Sequence, residues 1–195
     1  SGELGCAARM GARSALMGGR ILWWEIIALA AITALGAWLR FYEIGAKSVW
    51  LDEAFTLWMA RQSIPDLFGW ITRIDQHPPL FYLAMHYWRL LGEEEATARS
   101  LSAILSTATI PVFYFVTRRL QGRASAIVAV ILLAVSPFHV RFAQEMRMYA
   151  LLTLNASLAL LALAHLFTGD RRRRWWVIYC VFTALTMVSQ NTAVL

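Results

Sequence analysis

The chain has 195 residues, of which 59% are hydrophobic, and a mean hydropathy of +0.54; that is too apolar for an ordinary soluble domain. The net charge of +6 and pI near 9.9 do not point to nucleic acid, because the arginines cluster beside the apolar runs, where they act as topology signals. The apolar runs are continuous rather than alternating, which argues against a β-barrel, and lipid leaves helices as the remaining option. The expected fold is therefore all-α: a multi-spanning integral membrane protein with about five transmembrane helices, plus juxtamembrane amphipathic helices in a long first external loop.

In chain order, residues 1–20 form a basic tail with Arg9, Arg13 and Arg20, placed in the cytoplasm. The run "ILWWEIIALAAITALGAWLRFY" (21–42) is the first span; a cleaved signal peptide would normally have a shorter apolar region. Residues 43–97 hold eight acids (Glu43, Asp52, Glu53, Asp66, Asp75, Glu93, Glu94 and Glu95) and few bases. Within this loop, 52–62 places Phe55, Trp58 and Met59 on one helical face. Pro65 opens a short helix over 65–73, with Leu67, Phe68 and Ile71 on one side. The stretch "PPLFYLAMHYWRLLG" (78–92) is short for a span of about 20 residues and is expected to lie along the interface.

Four further spans are expected over 98–117, 124–138, 150–168 and 175–195. The loops "RRLQGR" (118–123) and "GDRRRRW" (169–175) are basic, hence cytoplasmic. The segment "SPFHVRFAQEMRMY" (136–149) then falls outside, on the same face as 43–97, provided that 78–92 does not cross. The run 124–138 is short and needs Arg123 to snorkel. The last span meets the C-terminus with no stop signal, so 21–195 reads as the N-terminal part of a longer membrane domain. Cys6 lies in the tail and Cys180 in a span, so neither metal ligation nor a disulfide between them is expected.

Three polar clusters meet on the external face: Asp52 with Glu53, "DQHPPLFY" (75–82), and "QEMRMY" (144–149). Arg99 enters at the outer end of the second span. In the spans, Asn155, His165 and Gln190 are among the few strongly polar residues. Each cluster has a plain structural explanation. Asp52 is a candidate helix cap with Glu53 in the first turn. His77 precedes proline and is pushed out of helix. Arg141–Glu145 and Glu145–Tyr149 are i,i+4 pairs, and Arg99 can pair with Glu94 or Glu95. Yet ionisable groups gathered at one membrane face imply a site. Arginine with histidine or tyrosine suits the phosphate of a lipid substrate, and a nearby carboxylate suits a general base.

In series, "WLDEAF" (50–55), "DQHPPLFY" (75–82), "ARSLSAILSTATIPVFY" (98–114) and "SPFHVRFAQEMRMYALL" (136–152) resemble the polyprenyl-phosphate-dependent C-type glycosyltransferases, in the protein O-mannosyltransferase and aminoarabinose-transferase-like group. The likeness covers the chain from about residue 20 onward. It implies a polyprenyl-phosphate sugar donor and a protein, lipid or glycan acceptor. It implies Asp52 as the base that deprotonates the acceptor hydroxyl, with Glu53 beside it, and His77 and Arg147 near the lipid phosphate. Arg99, Gln144, Glu145 and Tyr149 complete the expected substrate-binding set.

A glycosyl phosphate already carries a good leaving group, so one base and cation stabilisation suffice. Attack on C1 from the face opposite the phosphate would invert the anomeric centre. No cofactor is required by the pattern; some C-type transferases use a divalent metal, but no spacing here demands one. The expected location is the plasma membrane, with the N-terminus cytoplasmic, the site on the periplasmic face and membrane lipids around the spans. The fragment alone, lacking the remaining spans, is expected to be inactive. A multi-pass transporter or flippase would want polar residues near the bilayer midplane, and a non-catalytic membrane subunit would tolerate Asp52→Asn.

Overall fold

The computed structural model describes residues 21–73 and 77–190. The basic tail, Cys6 and Asp75 lie outside the described residues, as do the last five residues of the fifth expected span. Among the described residues the chain is helical throughout: α1 (Trp23–Phe41), α2 (Leu51–Arg61), α3 (Ile64–Arg73), α4 (Leu80–Trp88) with a 3-10 turn (Arg89–Leu91), α5 (Glu95–Gln121), α6 (Arg123–Val135), α7 (Pro137–Ala143), α8 (Tyr149–Phe167) and α9 (Arg173–Met187).

Three helices, α1, α5 and α8, are long and apolar enough to cross a membrane. Helices α6 and α7 qualify only together, bent by 56° at their junction. The expected span over 124–138 thus stops at Val135, because Pro137 starts a new helix capped by Ser136, whose Oγ accepts from the His139 amide; proline cannot continue the hydrogen-bond ladder. Helix α9 is 15 residues long and begins two residues before the expected 175–195 span, ending at Met187. Helix α4 is nine residues long and is not among the helices long and apolar enough to cross a membrane.

The bundle packs through small residues. Helix α8 sits between α5 and α9, while α6 and α1 lean on the other side of α5. Ala126, Val130 and Ala134 of α6 meet Ile110 and Tyr114 of α5 and Leu29 and Ile32 of α1. With lipid as apolar as leucine, close van der Waals fit rather than the hydrophobic effect holds such faces together. Gly36 marks the closest approach: a Cβ there would stand 2.4 Å from the Ile110 Cδ1 atom. Over the outer end lies a small cap made of α2, α3 and α4. Its core is Ala60, Phe81 and Met85 against Ala98, Leu101, Met146 and Met148, extended by Met59, Leu67 and Tyr82.

A buried ion cluster closes each end of α5. At the inner end Glu25 accepts from the Tyr114 hydroxyl (2.6 Å) and from Arg118 Nε (2.9 Å), and Arg123 Nε lies 2.8 Å away. The outer cluster is part of the candidate site.

Candidate active site

The two adjacent acids have opposite fates. Trp50 is the N-cap of α2 and Asp52 makes no side-chain cap bond, so the helix-cap explanation of Asp52 does not hold; both acids sit in the first turn. One residue on a helix is a turn of about 100°, which sends neighbouring side chains to different faces. Glu53 points inward and is fully buried. Its Oε2 accepts from Arg99 Nη2 at 2.7 Å, and its Oε1 accepts from Arg99 Nε and from the Met146 amide, each at 3.0 Å. Arg99 gives its remaining hydrogens to the carbonyls of Ile44, Lys47 and Ser48. Neither Glu94 nor Glu95 is its partner. One bidentate pair therefore ties the 44–48 loop, α2, α5 and the 144–148 turn together, and both members are saturated.

Asp52 faces the other way. Its side chain is exposed and makes no hydrogen bond or ion pair among the described residues. It shares a helical face with Thr56, one turn on, whose hydroxyl bonds the Asp52 carbonyl at 2.9 Å. Thr56 in turn lines a narrow cleft with His77, Phe81, Tyr82, Arg147 and Met148. The structure thus brings His77 and Arg147 to one cleft, which α2 reaches through Thr56, one turn after Asp52. Arg147 Nε is buried there without a partner among the described residues.

A second, wider hollow of about 430 Å3 is reached by α2 through Glu53, one turn before Thr56. Glu43, Lys47, Trp50, Arg141, Gln144 and Glu145 surround it, above the Glu53–Arg99 pair. Gln144 reaches the end of α1, donating from Nε2 to the Tyr42 carbonyl at 2.9 Å, and so fixes the 144–148 turn against the terminal carbonyls that a helix leaves unmet. Arg141 and Glu145 form the expected i,i+4 pair at 3.4 Å. Tyr149 joins neither hollow. It faces a third cavity with His139 and Ser106, and its ring meets Phe142 at 4.8 Å.

Sequence reasoning passed over Glu25, Arg40 and His139. The first two are charges inside an apolar run, which is itself a signal. Among the described residues no three His, Cys, Asp or Glu side chains converge as a metal-binding group.

The family model described as dolichyl-phosphate-mannose-protein mannosyltransferase matches residues 76–195, more than half of the chain. His77, Arg99, Gln144, Glu145, Arg147 and Tyr149 lie inside the match; Asp52 and Glu53 precede it. No curated protein and no solved structure gives a significant match.

Proposed function

The chain belongs to the dolichyl-phosphate-mannose-protein mannosyltransferase family, and from that premise we propose that it carries the catalytic base and part of the donor-phosphate site of a membrane glycosyltransferase. The family places it among enzymes that use a polyprenyl-phosphate sugar donor. Our finer reading is that Asp52 deprotonates the acceptor hydroxyl while Arg147 and His77 hold the donor phosphate.

The observation that carries this reading is the contrast in charge satisfaction. Arg147, which lines the cleft with His77, keeps a buried Nε without a partner among the described residues, and Asp52, one turn before the cleft's Thr56, keeps an exposed carboxylate with no ion pair among them. A guanidinium binds phosphate oxygens through directed, charge-assisted hydrogen bonds. Such a contact strengthens as the glycosyl–oxygen bond breaks and negative charge gathers on the departing phosphate, so it favours the transition state over the ground state. The acceptor hydroxyl loses its proton to Asp52 as it attacks C1 opposite the phosphate, and the anomeric centre inverts.

Arg99 and Glu53 are positioning residues in this account. They hold the start of α2 against α5, which fixes the direction of Asp52. Gln144 and the Arg141–Glu145 pair shape the wider hollow, where the acceptor is proposed to enter. The site is assigned to the external face of the plasma membrane, in line with the basic 118–123 and 169–175 loops at the opposite end. The transporter reading is weaker, because Asp52, His77 and Arg147 lie in the cap and the 144–148 turn rather than midway along the long apolar helices. The test is release of polyprenyl phosphate from a panel of polyprenyl-phosphate sugars by membranes holding the intact gene product, wild type against Asp52→Asn at matched expression. Release by wild type that is lost in the variant supports the reading; equal release by both overturns the role of Asp52.

A further inference from the structure

Two buried polar groups have no part in that mechanism. Arg40, at the outer end of α1, is fully buried. Its Nη1 donates to the carbonyls of Gly36 (2.8 Å) and Ala134 (3.1 Å), and its Nη2 to that of Leu133 (3.4 Å). It thereby caps α6 where the chain breaks into α7. Its Nε donates to Ser106 Oγ at 2.8 Å, and its Nη2 lies 2.8 Å from His139 Nδ1.

A guanidinium has only donors, so Nδ1 of His139 must accept and the ring proton sits on Nε2. That Nε2–H is buried with no partner among the described residues. His139 lines a cavity of about 270 Å3 with Ser106, Phe138, Phe142, Tyr149 and Thr153. Two deficits therefore lie together beside this cavity: a covered, unmet donor on a residue that lines it, and behind that residue a buried cation that makes no ion pair among the described residues. The C-terminal carbonyls of α6 supply about half a negative charge and offset only part of it. A water molecule would satisfy Nε2–H and leave the Arg40 charge uncompensated. An anionic oxygen would satisfy both.

The remaining walls are apolar, and Phe138 is 73% exposed on the outer surface of the bundle, where an apolar chain can lie. The cavity shares no lining residue with the His77–Arg147 cleft. We propose that it is a second anion site, which takes the phosphate of a membrane amphiphile whose hydrocarbon chain leaves past Phe138 and Phe142. That chemistry has two sources, a polyprenyl phosphate or a bulk anionic phospholipid.

The test measures lipid binding to the intact chain in detergent by native mass spectrometry, with polyprenyl phosphate, phosphatidylglycerol and uncharged polyprenol as probes. Working in an Arg147→Ala background removes the cation of the proposed donor cleft. There the phosphate should still bind about tenfold or more tightly than the alcohol, as expected for one charge-assisted contact. His139→Leu should abolish that preference, and His139→Gln, which keeps an N–H, should restore part of it. Thr153→Phe, which fills the cavity and leaves the Arg40–Ser106–His139 hydrogen bonds in place, should abolish it independently. Equal competition by phosphatidylglycerol supports the site and names bulk lipid as its source; weak competition supports it and names the polyprenyl phosphate. Equal binding of phosphate and alcohol in the Arg147→Ala background, or a preference that survives both His139→Leu and Thr153→Phe, overturns the proposal. Sugar transfer is not the readout, so the result stands apart from the proposed activity.

Discussion

The two ends of α5 are built on the same plan and put to different use. Each buries one glutamate against arginine: Glu25 with Arg118 and Arg123 at the inner end, Glu53 with Arg99 at the outer. At the inner end the carboxylate is matched from three sides, by Tyr114 and the two arginines. The outer end adds the exposed carboxylate of Asp52 and two buried N–H groups without a hydrogen-bond partner among the described residues, Arg147 Nε and His139 Nε2. Buried polar groups are normally satisfied within the protein or by water. The same contrast separates Asp52 from Glu53, one bond apart in sequence.

Breaking the saturated clusters should give the largest effects. Removing one partner of a buried pair strands the other charge, at a cost of about 3–5 kcal/mol. Glu53→Ala and Glu25→Ala should therefore lower the thermal unfolding midpoint sharply in detergent, and activity should fall with the folded fraction. A midpoint within a degree of wild type for either would break the comparison.

Arg147→Ala should act on function instead. Loss of one charge-assisted hydrogen bond, about 1.5–3 kcal/mol, predicts a fall in kcat/KM of roughly 10- to 100-fold, with the unfolding midpoint unchanged. Steady-state rates over a donor series would read it. Gly36→Val should cost about 1–3 kcal/mol through overpacking against Ile110, felt as a lower midpoint with a normal KM.

The smallest effect belongs to the cap surface. Arg61 donates to Glu93 at 2.7 Å, and this hydrogen bond holds the Glu93 carboxyl below its ordinary range. A depressed folded-state value means that the contribution is present above the unfolded pKa and lost as pH falls through the folded one. Wild type should thus have a slight edge over Glu93→Gln at neutral pH, fading once the pH drops below about 4. Unfolding midpoints across pH 3 to 7 would detect it, and salt should shrink it.

Much of the frame is legible in the sequence, because hydropathy and arginine placement are local signals. The spans near 21–42, 98–117 and 150–168 and the short helix after His77-Pro78-Pro79 all follow from them. Lost to that reading are features set by distant partners. Nothing near Glu53 announces that Arg99, 46 residues on, will bury it. Tyr149 stands two residues from Arg147 yet faces another cavity. Ser136-Pro137 lay in plain view inside an apolar run, and proline's effect on the helix ladder predicts the break that hydropathy alone missed. Glu25 and Arg40 were visible as charges within the first span, but their roles needed the facing helices.

The most direct test of the division between saturated and unmet charge compares the two adjacent acids in one experiment. Asp52→Asn and Glu53→Gln would each be assayed for polyprenyl phosphate release per folded molecule, with unfolding midpoints taken on the same preparations. The account predicts that Asp52→Asn loses turnover by about 100-fold or more, the scale of a general base, and keeps its midpoint. Glu53→Gln should lose midpoint and, per folded molecule, lose far less turnover than Asp52→Asn. The reverse pattern, a stable and inactive Glu53→Gln beside an active Asp52→Asn, would contradict it.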